Sequence, residues 1–373
     1  MNLPYSDQLN IAALSRLFDN KSECYKLFWF KAILEKVCTG QTDLVYEDLI
    51  NDMIADAWYM VTEYHLNLGP RDTLERVVNH ISHLSGMLPA VKKREILKWL
   101  QNCTDKEVLK DKQSLTLNVP YRLQAPFLDG FNTQTWNCGS SELALRINQQ
   151  KRLMYYFDSV KGLQTVIHID PDWAYYLKEN QEIIRGWIHY DMILYLQRRN
   201  PSVPGISDKL YPPQERKLEK VKKYWKLLAE LEPFHEIYGG TEMTKSNISI
   251  DHFVPWSYLA HDEFWNLHPT TKSINSSKSN NLPNWEHYFP LFAEVEYHSY
   301  RMIWTYDKVR TEFGTCAREH LNNPEIEHRL YREGLTFEEY AHQLEEIVRP
   351  VYQSAQNCGF KSWEYVNEYG PVL

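Results

Sequence analysis

A chain of 373 residues, 43% hydrophobic and 14% aromatic, is long enough for two domains and apolar enough to bury real cores, which excludes an intrinsically disordered protein. Its net charge of −8 argues against a nucleic-acid partner on the sum alone, but the distribution matters more. Nine basic residues between Arg198 and Lys226 face three acidic ones, whereas from Glu286 onward 15 acidic residues face 8 basic ones.

No apolar run reaches the roughly 18–20 residues that span a bilayer; even residues 27–34 are interrupted by Lys31. The opening residues lack a basic stretch followed by an apolar one, so no secretory leader is expected. The cysteines Cys24, Cys38, Cys103, Cys138, Cys316 and Cys358 are scattered, with no Cys-x-x-Cys pair. They read as reduced thiols of a soluble cytoplasmic protein.

In chain order, the first hundred residues read as helical, over 23–37, 46–65 and 88–101, with Gly69-Pro70 as a breaker. Residues 114–128 alternate like a strand (Leu115, Leu117, Val119, Tyr121, Leu123), with Pro120 placing it at an edge. Residues 151–158 and 165–170 suggest further strands, and 172–197 one long helix stopped at Asn200-Pro201. A linker over 202–207 precedes a basic helix at 212–231 and an irregular, His- and Asn-rich stretch to 284. The chain turns helical again after Pro290. Thr336-Phe337-Glu338-Glu339 is a capping box for a helix running toward Val348, just before Pro350. The expected class is α+β, predominantly helical, with a mostly helical domain over 1–205, a β-containing domain over 206–290 and an acidic helical segment over 291–373.

The informative stretch runs ISIDHFVPWSYLAHDEFWNLHPTTKSINSSKSNNLP, from Ile248 to Pro283. Its elements Asp251-His252, Pro255, Asn266-Leu267, Asn275 and Lys278 resemble the HNH (ββα-metal) endonuclease family. Their spacing is similar, without a gap, to the HNH domain of the CRISPR RNA-guided DNA nucleases. The resemblance covers about a tenth of the chain. It implies His252 as general base, Asp251 and the side-chain oxygen of Asn275 as ligands of a divalent ion, and Asn266 as the residue that holds the loop and orients the base. Lys278, and nearby Lys272, could reach a phosphate or could be plain solvated lysines.

These residue types suit phosphodiester hydrolysis. An imidazole titrates near working pH and can take a proton from water. Hard oxygen ligands hold a divalent ion that neutralises phosphate charge. Asp251 and His252 are neighbours and would face opposite ways in mid-strand, so the strand should end at the pair, helped by Pro255. The expected unit is that strand, a loop through His261, a short strand at 265–267 and a helix carrying Asn275 and Lys278.

Many HNH proteins add a zinc knuckle of two Cys-x-x-Cys pairs. The corresponding positions here are Glu236, Gly239, Thr271 and Ile274, so no structural zinc is expected, and Trp256, Tyr258, Trp265 and Trp285 are expected to brace the unit by packing. Asn at the third motif position favours Mg²⁺ or Mn²⁺ over Zn²⁺. His80 and His83, and His168 with Asp170, are assigned no chemistry, and His261 and His268 read as loop packing. No P-loop and no Gly-x-Ser-x-Gly elbow is present. The resemblance implies a metal-dependent DNA endonuclease, acting in restriction or antiviral defence. Its partners would be DNA and a second copy or a sensor or ATPase protein. Two alternatives stand beside it: a nuclease subunit held silent by such a partner, and an RNA-cutting enzyme.

Overall fold

The helix Tyr25–Cys38 is apolar on nearly every side, so it has no face to offer water and must be surrounded. The computed structural model of the chain describes residues 3–19, 24–70, 72–212 and 217–366. In it this helix packs against Tyr46–Thr62, Pro171–Glu179 and Gln181–Arg199. Lys31, in its middle, turns its ammonium to Asp56 on the neighbouring helix at 3.1 Å. The chain divides into two compact units, Met1–Pro201 with Leu210–Pro212 and Ser202–Lys209 with Pro213–Leu373. Residues 291–373, expected to stand apart, belong to the second unit.

The first unit adds a small antiparallel sheet to its helices. Its strands are β1 (Asp43–Val45), β2 (Tyr155–Phe157) and β3 (Val166–Ile169), in the order β1-β3-β2. Residues 114–128 are not the strand their alternation suggests. They form the end of a helix, a helical turn Val119–Arg122 and a 3-10 turn Ala125–Phe127. Pro120 sits in a first helical turn, where its missing N–H costs nothing. The edge of β2 is met instead by side chains. The Gln124 amide bonds both backbone groups of Tyr155 (2.9 and 3.1 Å), and the Asn148 amide both groups of Phe157 (2.7 and 2.9 Å).

The expected single helix over 172–197 is two, Pro171–Glu179 and Gln181–Arg199, broken at Asn180, whose amide donates to the Tyr176 carbonyl at 2.9 Å. Asp170 caps the first of these, and His168 pairs with Asp43. His80 pairs with Asp111, which also takes Arg76. These histidines therefore do structural work.

In the second unit the basic helix is Glu219–Leu231, shorter than the expected 212–231: Pro212, Lys217 and Leu218 are not helical, and 213–216 lie outside the described residues. Its buried face carries Trp225, whose indole N–H donates to the Leu267 carbonyl at 3.1 Å. Trp285–Thr305 and Phe337–Asn357 are long helices that run through Pro290 and Pro350 instead of starting or stopping there. The capping box of Thr336 and Glu339 forms both of its bonds. Phe253 stacks on Phe292 with ring centroids 4.3 Å apart, tying the site region to the first of these helices.

The four knuckle positions do come together. Glu236 is 2% exposed, and its carboxylate accepts from the backbone N–H groups of Tyr238, Gly239 and Thr241 and from the Thr270 hydroxyl, at 2.7–3.2 Å. A Cβ at Gly239 would lie 3.2 Å from Ile274 Cδ1 and 3.0 Å from the Tyr365 ring, so glycine permits the close approach. A buried carboxylate thus ties the turn to the sheet beside the expected aromatic packing, in which Tyr258 and Trp265 are buried and Trp285 stacks on Phe289 and meets Phe253 edge-on.

Glu236→Ala strips the acceptor from these buried donors and should lower stability by about 2–4 kcal/mol in denaturant titration. In buffer without Mg²⁺ or Mn²⁺, a zinc-selective chelator should leave the wild-type midpoint unmoved; a fall would point to a bound structural zinc.

Candidate active site

The site begins with two antiparallel strands, β4 (Ser249–His252) and β5 (Leu267–Thr270), which pair Asp251 with His268 and His252 with Leu267. The strand ends at the Asp-His pair. The expected strand at 265–267 starts two residues later, after a 3-10 turn Phe264–Asn266. Asn266 is fully buried and prolongs the ladder with its side chain. Its Oδ1 accepts from Val254 N–H at 2.7 Å, and its amide donates to the Val254 carbonyl at 2.8 Å. Pro255 then has no N–H to continue, and the chain leaves the sheet.

Opposite Ile250 stands Pro269, which likewise has no N–H to donate. The Ile250 carbonyl is taken from the other side, by the helix Lys272–Lys278 that follows β5. Thr271 caps this helix, accepting from Ile274 N–H at 3.3 Å. One turn on, the Asn275 amide donates to the Ile250 carbonyl at 2.8 Å and to the Ser249 hydroxyl at 3.1 Å, which leaves Oδ1 as its acceptor. A further turn on, Lys278 donates to the His252 carbonyl at 2.7 Å. Two side chains of one short helix therefore hold the carbonyls on either side of Asp251.

Asp251 is 4% exposed and sits in a polar nest inside the unit. The Tyr238 hydroxyl donates to it at 3.0 Å, the Lys278 ammonium lies 3.2 Å away, and His268 Nε2 lies at 3.7 Å. Lys278 is 0% exposed, so the expected phosphate contact is not the one the fold gives it: helix position turns the amine inward to a carboxylate and a carbonyl. Lys272, in the first turn, is exposed. Burial lowers the Lys278 pKa against the pull of Asp251, and burial together with Asp251 raises that of Tyr238 well above the usual phenol value. Burial likewise pushes His268 down to about 4, so its ring is neutral at pH 7.

His252 takes a different direction. Its ring is 8% exposed, and Nε2 bonds Asp262 Oδ1 at 2.8 Å. Asp262 is a residue that sequence reasoning passed over, since it lies in an irregular loop with no motif to mark it. Tyr238 and Glu236 were missed as site supports for the same reason. Of the basic helix, Lys220 pairs with Glu319 and Lys223 with Glu312, which reduces the charge that it can offer a phosphate backbone.

Among the described residues no group of three or more His, Cys, Asp or Glu is placed to hold a metal ion. The donors suited to one are the Asp251 carboxylate and Asn275 Oδ1. These are hard oxygens that fit a cation keeping most of its positions for water and phosphate, as Mg²⁺ does. In this structure the Lys278 ammonium, 3.2 Å away, is the cation that Asp251 meets.

His268 makes a pH prediction. A ring that is neutral in the fold at pH values where the unfolded chain binds a proton adds stability that is lost as pH falls. The loss should run from about pH 6.5 down to about 4 and reach up to ~3 kcal/mol. Denaturant titrations across that window should show the slope in wild type, and His268→Leu should flatten it.

The sequence model of the HNH endonuclease family matches residues 236–284. Neither a curated protein nor a solved structure matches the chain.

Proposed function

We propose that the HNH endonuclease domain carried by this chain at residues 236–284 hydrolyses phosphodiester bonds in DNA with the help of a divalent cation, Mg²⁺ or Mn²⁺. The observation that supports this reading is the grip of the Asn275 amide on the carbonyl of Ile250, the residue before Asp251 at the end of β4. His252 takes a proton from water, the water oxygen attacks phosphorus, and the bond to the 3′ oxygen breaks; the departing oxygen takes a proton from solvent, leaving 5′-phosphate and 3′-hydroxyl ends. Asp251 and Asn275 Oδ1 would hold the cation, which supplies counter-charge to the crowded phosphate oxygens. Asn266 keeps the backbone after His252 in place. Lys272 is left as the exposed lysine of the site helix, suited to a phosphate. A role in restriction or antiviral defence rests on the resemblance alone.

A second reading is supported by a specific observation. Asp251 and His252 are only 4% and 6% exposed, and Lys278 neutralises the carboxylate that would hold the cation. That burial supports a nuclease that stays closed until DNA or a protein partner opens it. No helix among the described residues is long and apolar enough to cross a membrane.

Metal-dependent nicking of plasmid DNA tests the first reading. His252→Ala should lose at least ~10²-fold in rate, the scale of a general base, and labelled RNA in competition should be cut more slowly than DNA. Undiminished cleavage by the variant removes the mechanism. The cation site has its own test in thermal melts. Lys278→Met leaves Asp251 without its buried counter-charge and should cost about 3–5 kcal/mol. Mn²⁺ should restore part of that loss and raise the variant's midpoint more than the wild type's. A variant indifferent to Mn²⁺ would count against Asp251 as a ligand.

A further inference from the structure

We propose that Asp262 is the positioning residue of His252, holding its ring so that Nδ1 is the atom that takes the proton from water. This deepens the reading of His252 as general base and rests on it. An ionised carboxylate can only accept hydrogen bonds. The 2.8 Å contact between Asp262 Oδ1 and His252 Nε2 therefore requires the hydrogen on Nε2, and a neutral ring then carries its lone pair on Nδ1. The same bond fixes the rotation of the ring about its own axis, and the carboxylate stabilises the imidazolium that forms when the proton arrives.

Asp262 can do this because its own position is fixed. The helix Asp307–His320 ends against the loop that carries it, and three contacts from that end pin three successive residues. His320, 5% exposed, donates from Nδ1 to the Asp262 carbonyl at 2.8 Å. The Asn322 amide donates to His261 Nδ1 at 2.9 Å and to Glu263 Oε1 at 3.0 Å. The Glu263 carbonyl in turn accepts from Asn266 N–H at 2.9 Å, so the loop that carries Asp262 is tied to the residue that extends the β4 ladder. The carboxylate is thus set by a bond to its own backbone carbonyl and by side-chain bonds to both neighbours, and the base ring hangs from it.

The test is a double-mutant cycle on the full chain, with plasmid nicking in Mg²⁺ or Mn²⁺ as the assay. Asp262→Ala should lower kcat by about 10- to 10³-fold, the range seen when an orienting partner of a catalytic or metal-bound histidine is removed, with KM changed less than about twofold. Asp262→Asn retains an acceptor oxygen and should recover part of the loss. In the His252→Ala background, Asp262→Ala should cost nothing more, because Asp262 acts only through the ring. A further drop of the same size in that background, or full activity of Asp262→Ala alone, overturns the proposal. Undiminished cleavage by His252→Ala alone overturns the general-base reading as well, and so is told apart from a failure confined to Asp262. A readout independent of activity is the ¹⁵N NMR spectrum of histidine-labelled protein. Wild type should show the His252 hydrogen on Nε2, and Asp262→Ala should show a mixture of tautomers. A wild-type hydrogen on Nδ1 would sink the assignment even if every variant were slow.

Discussion

Asp251 and Lys278 meet where water scarcely reaches, and the geometry of the site follows from that pairing. Taking two charges out of water is costly, and the attraction between them offsets the cost only when further hydrogen bonds satisfy what remains. Those bonds are present. Tyr238 donates to the carboxylate, and the ammonium reaches the His252 carbonyl as well. The helix that supplies Lys278 has only seven residues, too short to persist by its own backbone bonds. Thr271 starts it, and Asn275 and Lys278 fasten it to β4. The motif residues are therefore structural before they are chemical: Asn275, the side chain proposed to meet a cation, also holds the helix to the strand.

Two further polar side chains act on the backbone where a metal or another strand would serve elsewhere. Glu236 gathers the N–H groups of its turn and the Thr270 hydroxyl around one buried carboxylate. Asn266 presents an amide to Val254 in the pattern of a peptide group. Both are short-range devices with long-range effect, since β4 and β5 are four residues each and gain little from their own ladder.

What could be read from the sequence was what local rules govern. The Asp-His pair at a strand end followed from alternation and Pro255, whereas the helix of Asn275 and Lys278 was implied by the resemblance to HNH endonucleases. The capping box at Thr336 was legible because it is a contact between residues three apart. Tertiary contacts were not legible. Nothing in the sequence marks Asp262 as the partner of His252, because their contact crosses an irregular loop. Lys278 reads as a surface lysine by composition, and only the packing of Asp251 beneath it turns it inward. Pro290 and Pro350 read as helix limits. In the fold Phe289, Phe292 and Val348 are buried beside them, and side-chain packing outweighs one missing backbone bond. Of the five alternating apolar residues in 114–128, Leu115, Val119, Tyr121 and Leu123 are buried, but in helical turns, and no ladder is formed there.

The amides of Gln124 and Asn148 on β2 have a consequence for how this protein behaves at high concentration. An outer strand with vacant N–H and C=O groups is a template on which another chain can add, and that is how sheets grow into aggregates. Here the outer rim of β2 is already satisfied from within, by side chains that cannot propagate the pattern. A neighbouring molecule would have to expel two well-seated amides before it could join, so the rim resists recruitment even though it bears no charge or bulge to repel it.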